Sequence, residues 1–337
     1  MAMSGQSSLP ELAPFRIAPR FVGRVWGYRD LHPWYDRIAE GEPIGEVWLT
    51  GDECLVATGP YTGKTLGGLF GAASDALLGA GAQPPASPLL IKVIFAREKL
   101  SVQVHPDDKL AQKYGQPRGK TECWYVLAAE PGAQVAAGLN PGVTLDKIEE
   151  GIQAGTLEES LNLLPVAAGE MIFVDAGTVH AIWPGSILLE TQQNCDLTYR
   201  MYDYGRPREL HIEKSLEATR LKTRAGKVPA RVLKDRTILV DEEYFRVERI
   251  PVAGSRTGAS LAGEGEPVRG LAYLFAAAGW GRIYSPWKGF EPVDLPERGI
   301  VAVPAASPEF VVEDLGGLDL IRITPNWPKE TQSGETQ

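Results

Sequence analysis

The chain has 337 residues and a mass of 36.6 kDa, enough for about two domains with cores of normal size. Its 43 acidic residues outnumber 34 basic ones, and the net charge of −9 argues against a nucleic-acid binder. No apolar run reaches the roughly 18 residues of a membrane helix, and three cysteines (Cys54, Cys123 and Cys195) make no disulfide framework, so a cytoplasmic protein with neither a membrane nor a nucleic-acid partner is expected.

The opening, Met1–Pro10, is polar and lacks the apolar centre of a signal peptide. With 37 glycines and 26 prolines the chain has many turns, which favours β structure. From Phe15 to Leu69 loops and short strands are expected, one of them at Gly45–Leu49. Gly59–Thr65 (GPYTGKT) has one residue too few between its glycines for a P-loop and reads as a turn with a short helical start. A helical turn follows at Ser74–Leu78, then a connection at Gly79–Pro88. Leu89–Phe95 is an apolar run of strand length, and Leu100–His105 alternates until Pro106 ends it. Trp124–Leu127 is another strand. Leu145–Leu164 predicts two short helices broken at Gly155, the second opened by a capping box of Thr156 and Glu159. Met171–Val174 and Ile187–Glu190 read as strands. Glu209–Ala218 reads as a helix leading to a basic link at Arg220–Arg231. Beyond Val232 only strands and turns are expected, at Thr237–Val240, Phe245–Ile250, Leu271–Ala276, Gly281–Tyr284 and Ile300–Val303. Pro328–Gln337 is a polar, frayed tail. The pattern predicts a mainly β protein with one domain over 1–230, a second β domain over 231–327 and a flexible tail over 328–337.

All four histidines, His32, His105, His180 and His211, precede residue 212, so a metal site would belong to the first domain. Gln103 and His105 stand two apart on a predicted strand and share a face. Glu122 lies just before another strand, and His180 closes Gly177–His180. Two imidazoles, a carboxylate and an amide oxygen form a mixed N/O set suited to Zn²⁺, and also to Mn²⁺, Fe²⁺ or Co²⁺. Taken singly, each is more often a solvated or structural side chain than a ligand. From Gly169 the chain reads Gly–x5–Asp–x–Gly–x2–His, ending at His180. This resembles the second cupin motif, with Asp175 at its proline position. Gln103–Val104–His105 resembles the His-x-His of the first, and Glu122 would be that motif's glutamate. A cupin is a small jelly-roll barrel whose ligands point inward from facing strands.

Longer stretches resemble type I phosphomannose isomerases in their short bacterial form. They are Trp26–Gly27, Pro88–Lys92, Leu100–Asp108, Gly119–Tyr125, Leu189–Tyr204 and Pro207–His211, in order over most of residues 14–220. The resemblance implies a cupin barrel that carries the metal site, with a small helical insertion at about 140–165. After 235 it is looser and implies a second cupin-like β domain without metal ligands. It also implies reversible isomerisation of mannose 6-phosphate to fructose 6-phosphate, with one Zn²⁺ per chain held by Gln103, His105, Glu122 and His180. Arg200 would be the active-site arginine, Lys120 the lysine two before the glutamate ligand, and Asp196 the aspartate four before the arginine. Thr50–Cys54 (TGDEC) departs from the family, being shorter and carrying two acids.

Aldose–ketose isomerisation moves a proton between C2 and C1 through an enediol. It needs a base near those carbons and positive charge near the oxygens that become anionic. Were Glu190, Asp196 and Arg200 on one strand, their even spacing would put them on one face. Arg200 would stabilise the enediolate or grip the phosphate. Lys120 would act at either end, and as a base it would need a depressed pKa. Lys92, on the neighbouring strand, is a further phosphate candidate, and Glu190 is placed with it at the substrate. The structural alternatives are an ion pair of Arg200 with Asp196 or Asp203, and a merely solvated Lys120. Cys123 and Cys195 read as small buried residues and His211 as a structural residue opening a helix. Two other functions stay open: isomerisation or epimerisation of another phosphorylated sugar, and non-catalytic binding of a sugar phosphate. A monomer or homodimer acting on a small phosphosugar is expected.

Overall fold

The computed structural model describes residues 12–79, 86–263 and 270–326. Its first part runs β1 Phe15–Ile17, β2 Arg20–Tyr28, β3 Ile44–Trp48, α1 Leu66–Leu78, β4 Leu89–Ala96, β5 Val102–Val104, α2 Asp108–Lys113 and β6 Glu122–Ala129. It continues through β7 Gln134–Leu139, α3 Leu145–Ala154, β8 Leu161–Pro165, β9 Met171–Val174, β10 His180–Ile182, β11 Ser186–Gln193, β12 Tyr199–Tyr202, α4 Ile212–Ala218 and β13 Gly226–Val228. A seven-stranded sheet has the order β13-β9-β6-β11-β4-β3-β2, and a five-stranded sheet the order β12-β5-β10-β7-β8. The two sheets close on a shared apolar layer, with Ile94, Trp124 and Leu188 from one meeting Val135, Ala137 and Ile182 from the other. This is the jelly-roll arrangement expected of a cupin.

β4 shows how the sequence builds it. Ile91, Val93 and Phe95 point to one core, while Ile94 and Ala96 point to the other, so every position of the strand is buried. A strand covered on both faces reads as a continuous apolar run, which is why it is legible in the sequence. The one charged residue in the run, Lys92, lies on the inter-sheet side and is 3% exposed.

The rest of the chain forms a second pair of sheets. The larger has the order β1, Ile300–Val303, Ala272–Ala278, Asp319–Pro325, Phe245–Pro251, Thr237–Asp241, Arg231–Val232. The smaller joins Ser255–Thr257, Val311–Asp314, Gly281–Tyr284 and Val293–Leu295. β1 therefore pairs with a strand from the far end of the chain, with Phe15 opposite Ala302. A single core unites the two parts, packing Ile91, Val93 and Phe95 with Phe245, Tyr273, Phe275 and Ile321.

Several local expectations are corrected. Thr65 caps α1 by accepting from the Gly68 N–H, so the helical start after the Gly59 turn extends to Leu78. α3 ends at Gly155 in the left-handed conformation, as the break there requires. The second predicted helix is only a 3₁₀ turn, Leu157–Ser160, and the Thr156 side chain caps nothing. The chain then pairs as β8 with β7, a partner that local propensity cannot show. A five-residue helix, Gly258–Ala262, interrupts the region read as strands and turns alone. Met1–Pro10, most of the Gly79–Pro88 connection and the 328–337 tail lie outside the described residues.

Inside the second pair of sheets Glu248 is fully buried. Its carboxylate meets Arg236 at 3.2 Å, Arg246 at 3.0 Å and Arg322 at 2.5 Å. Removing one partner from such a cluster strands buried charge. Glu248→Gln is expected to lower stability by about 3 kcal/mol in urea unfolding. A change below about 1 kcal/mol, within the range of exposed ion pairs, would mean that the cluster does not hold this half together.

Candidate active site

Two rows of side chains face one cavity. In the five-stranded sheet, Gln103 on β5 registers with His180 on β10 and with Arg200 on β12. Directly opposed residues in adjacent strands share a face, so Arg200, Gln103 and His180 form one row. In the seven-stranded sheet, Glu190 on β11 registers with Trp124 on β6 and with Lys92 on β4. Glu122 lies two residues from Trp124 and on the same face. The cavity, of about 500 Å³, is lined by Gln103, Glu122, Glu190, Lys92, Lys120, Asp196 and Arg200, and also by Arg24, Glu46 and Arg208.

At one end His105, Glu122 and His180 converge, all buried, with one ligand atom from each lying within 4.8 Å of the others. His105 Nε2 is 3.6 Å from Glu122 Oε2, and His180 Nε2 is 3.4 Å from Glu122 Oε1. Each imidazole donates from Nδ1 to a backbone carbonyl, His105 to Leu197 and His180 to Thr178, both at 2.9 Å. Those bonds set the tautomer and aim the Nε2 lone pairs inward. Burial, with the charges of Lys120, His180 and Lys92, pushes the His105 pKa well below its ordinary value. Burial also takes His180 down to about 4. Both rings are therefore neutral at pH 7, the form that binds a cation. His105 Nε2 and Glu122 Oε2 are buried with no hydrogen-bond partner. The Gln103 amide lies 3.2 Å from His180 Nε2, so its oxygen can be turned to the same point. An orphaned imidazole nitrogen and an orphaned carboxylate oxygen, with a second imidazole and an amide beside them, suit a divalent cation.

Beside this triad the charges interlock. Lys120 Nζ stands 3.2 Å from Glu122 and 3.6 Å from Glu190, while Lys92 Nζ stands 3.5 Å from Glu190 and 3.7 Å from Glu46. Burial works against charge on Lys120, but Glu122, Glu190 and Asp196 outweigh it, and its pKa is raised above the ordinary lysine value. A cation held at Glu122 would act in the opposite direction, towards the depressed lysine that a base requires. Glu190 moves the other way: burial and the neighbouring Glu122 raise its pKa to about 7, against Lys92 and Lys120. One of its oxygens, Oε1, has no hydrogen-bond partner.

The expectation of one strand bearing Glu190, Asp196 and Arg200 is also corrected. Glu190 is on β11, Asp196 is exposed in the link and Arg200 is on β12 of the opposite sheet. All three still reach the cavity, because the link turns over its rim. Arg200 pairs with neither Asp196 nor Asp203; its Nη1 donates to the Glu209 carbonyl at 2.9 Å. His211 sets the Arg200 backbone, its Nδ1 accepting from the Arg200 N–H at 3.2 Å, as a structural residue at the start of α4. Cys54, Cys123 and Cys195 are free and buried. Sequence reasoning passed over Arg24, Glu46 and Arg208 as cavity residues. Arg24 adjoins the quoted Trp26–Gly27 and Arg208 lies within Pro207–His211, so position beside those motifs was the available signal.

The model of the type I phosphomannose isomerase catalytic domain matches residues 22–134, a span that holds Lys92, Gln103, His105, Lys120 and Glu122. The mannose-6-phosphate isomerase of Streptococcus mutans is 35% identical over 255 residues, covering 72% of this chain and 80% of that protein. Mannose-6-phosphate isomerase ManA of Bacillus subtilis is 34% identical over 261 residues with the same coverage. The crystal structure of a mannose 6-phosphate isomerase from Bacillus subtilis superposes with a TM-score of 0.80 at 29% identity, over 93% of this chain and 99% of that one. With relatives this similar over most of its length, and with the fold and donor set described, the chain belongs to the type I phosphomannose isomerase family.

Proposed function

We infer that this protein is an aldose–ketose isomerase that interconverts mannose 6-phosphate and fructose 6-phosphate through an enediol. One observation carries the reading: a single cavity opens onto Glu122, the carboxylate of a cation-competent triad, and is lined as well by a carboxylate poised near neutrality and an arginine free of carboxylates. Gln103, His105, Glu122 and His180 would hold the metal, which we take to be one Zn²⁺ per chain on the strength of the mixed N/O donors. Bound there, it would supply Lewis-acid polarisation of substrate oxygens.

The chain's own residues divide the remaining work. Glu190 takes the proton from one carbon and returns it to the other, since a group with a pKa near the working pH does both. Lys120, held charged, places a fixed positive charge beside the reacting oxygens. Arg200, one strand from Gln103, stabilises the oxygen that becomes anionic. Lys92 holds Glu190 in place from the adjacent strand, and Asp196 supports the charge on Lys120 from the rim. We place the catalytic domain before about residue 230, since every proposed ligand lies there, with the second pair of sheets as its support. Buried free cysteines favour the cytoplasm, and no helix among the described residues is long and apolar enough to cross a membrane. We take the working form to be a monomer or homodimer.

The test is a coupled assay for fructose 6-phosphate made from mannose 6-phosphate, with a panel of other phosphosugars beside it. Absence of turnover in metal-loaded protein would refute the reading, and faster turnover of another sugar would reassign the substrate. The pH profile tests Glu190. A base must be ionised, so activity rises with pH through its pKa; a cation at Glu122 removes part of what raises that pKa, so the limb lies at or below about pH 7. In Glu190→Gln activity should fall at least about 100-fold and the limb should vanish. A limb that survives in the residual activity would assign the proton to another group.

A further inference from the structure

We propose that Arg24, with Arg208, forms the seat for the substrate's phosphate and so sets the enzyme's preference for phosphorylated over free sugar. The proposal rests on the isomerase reading and assigns the more exposed side of the same cavity. Gly23 and Tyr28 of β2 both register with Ile44 of β3, so residues 24–27 form a bulge out of the sheet. Bulges beside active sites re-aim side chains, and this one turns Arg24 to the cavity. Its close approach to β3 requires glycine at position 27, where a Cβ would stand 2.3 Å from the Ile44 backbone.

Both guanidiniums are set in place in advance. Arg24 makes a bidentate contact to Glu46, with Nε to Oε1 at 3.2 Å and Nη2 to Oε2 at 3.0 Å. Glu46 is itself tied by Trp48 Nε1 at 2.7 Å. Arg208 makes two bonds of 2.6 Å to the buried Asp203. Each arginine has five N–H donors, so such a clamp leaves others to face the cavity. Burial first, then the charges of Arg208, Arg206 and Arg24, lowers the pKa of Arg200 against Asp203, so Arg208 and Arg24 both act on Arg200.

Exposure distinguishes them from the lysines, although Arg24 and Lys92 both contact Glu46. Lys92 and Lys120 are 3% and 4% exposed at the closed end, beside the metal triad, whereas the side chains of Arg24 and Arg208 are 29% and 24% exposed. A sugar with C1 and C2 at the triad directs its C6 group towards the arginines. A phosphate there carries about two negative charges and three acceptor oxygens, and forked guanidiniums recognise that shape.

The test uses metal-loaded enzyme with inorganic phosphate as the probe. Arg24→Gln should raise KM for mannose 6-phosphate about 10- to 100-fold, leave kcat within about threefold, and raise the inhibition constant for phosphate by the same factor as KM. Arg24→Lys should recover only part of the loss. Inorganic phosphate should raise the melting temperature of the wild type and not that of Arg24→Gln. If Arg24→Gln does not fold, Arg208→Gln carries the same expectations. A variant that loses kcat but keeps its phosphate inhibition constant would overturn the proposal. Wild type that binds phosphate yet does not turn over mannose 6-phosphate would refute the isomerase reading and leave the anion seat standing.

Discussion

Glu122→Ala should turn over mannose 6-phosphate at least about 1,000-fold more slowly than wild type, because several kcal/mol of transition-state stabilisation leave with the cation. Glu122 is the proposed ligand that approaches both histidines, through Oε2 to His105 and Oε1 to His180, and its loss removes the anionic donor from the proposed set. The stability readout separates metal loss from misfolding. A cation bound only to the folded chain adds roughly 4 kcal/mol at 1,000 times its dissociation constant. Chelator should therefore lower the melting temperature of the wild type and leave that of Glu122→Ala unmoved. The apo variant need not be weaker than the apo wild type, since Glu122 there is a buried carboxylate close to a second one, Glu190. Metal content by elemental analysis completes the test. A variant that keeps stoichiometric zinc and full activity would move the site elsewhere.

Arg200→Ala should lower kcat about 100- to 1,000-fold while KM changes less, the usual cost of losing a donor aimed at developing negative charge. Among the described residues Arg200 is the cavity-lining cation with no carboxylate within 4.0 Å, whereas Arg24, Lys92, Lys120 and Arg208 each have one. Its charge is thus the least neutralised before substrate arrives. Its row position, one strand or about 4.8 Å from Gln103, puts it beside the reacting end. Arg200→Lys should recover little, since an ammonium cannot reproduce the fork. Metal content should stay at wild-type level in both variants. The contrast with Arg24→Gln, expected to act on KM, divides the cavity into a reacting end and a phosphate end. A fall in KM-dependent binding alone in Arg200→Ala would join Arg200 to the phosphate seat instead.

The residues of the site were legible where short-range rules apply. Gln103 and His105 alternate on one strand, and His180 ends a motif of glycines at fixed spacing. Lys120 precedes Glu122 within a stretch that resembles one family. The face of β4 was legible too, because burial on both sides leaves an apolar run with one lysine in it. What escaped was everything set by partners distant in sequence. β7 pairs with β8 out of reach of any local pattern, and a 3₁₀ turn stands before β8 where Thr156 and Glu159 predict a helix. Arg24 was missed because its role depends on a bulge, and the bulge appears only in the register of β2 against β3.

By itself the sequence determined a mainly β chain, a candidate metal-ligand set confined to its first part, and membership of one enzyme family. Composition, strand alternation and motif spacing are local, whereas a strand's backbone groups are satisfied only by a partner strand that can lie far along the chain. Only the tertiary structure decided that Arg200 and Glu190, placed together by even spacing, belong to opposite sheets across one cavity. It also decided which charges surround Lys120 and Glu190, raising the pKa of both. Those outcomes depend on which charges end up within a few ångströms in a buried space, and Coulomb interactions there act through distance and solvent exclusion, neither of which is written along the chain.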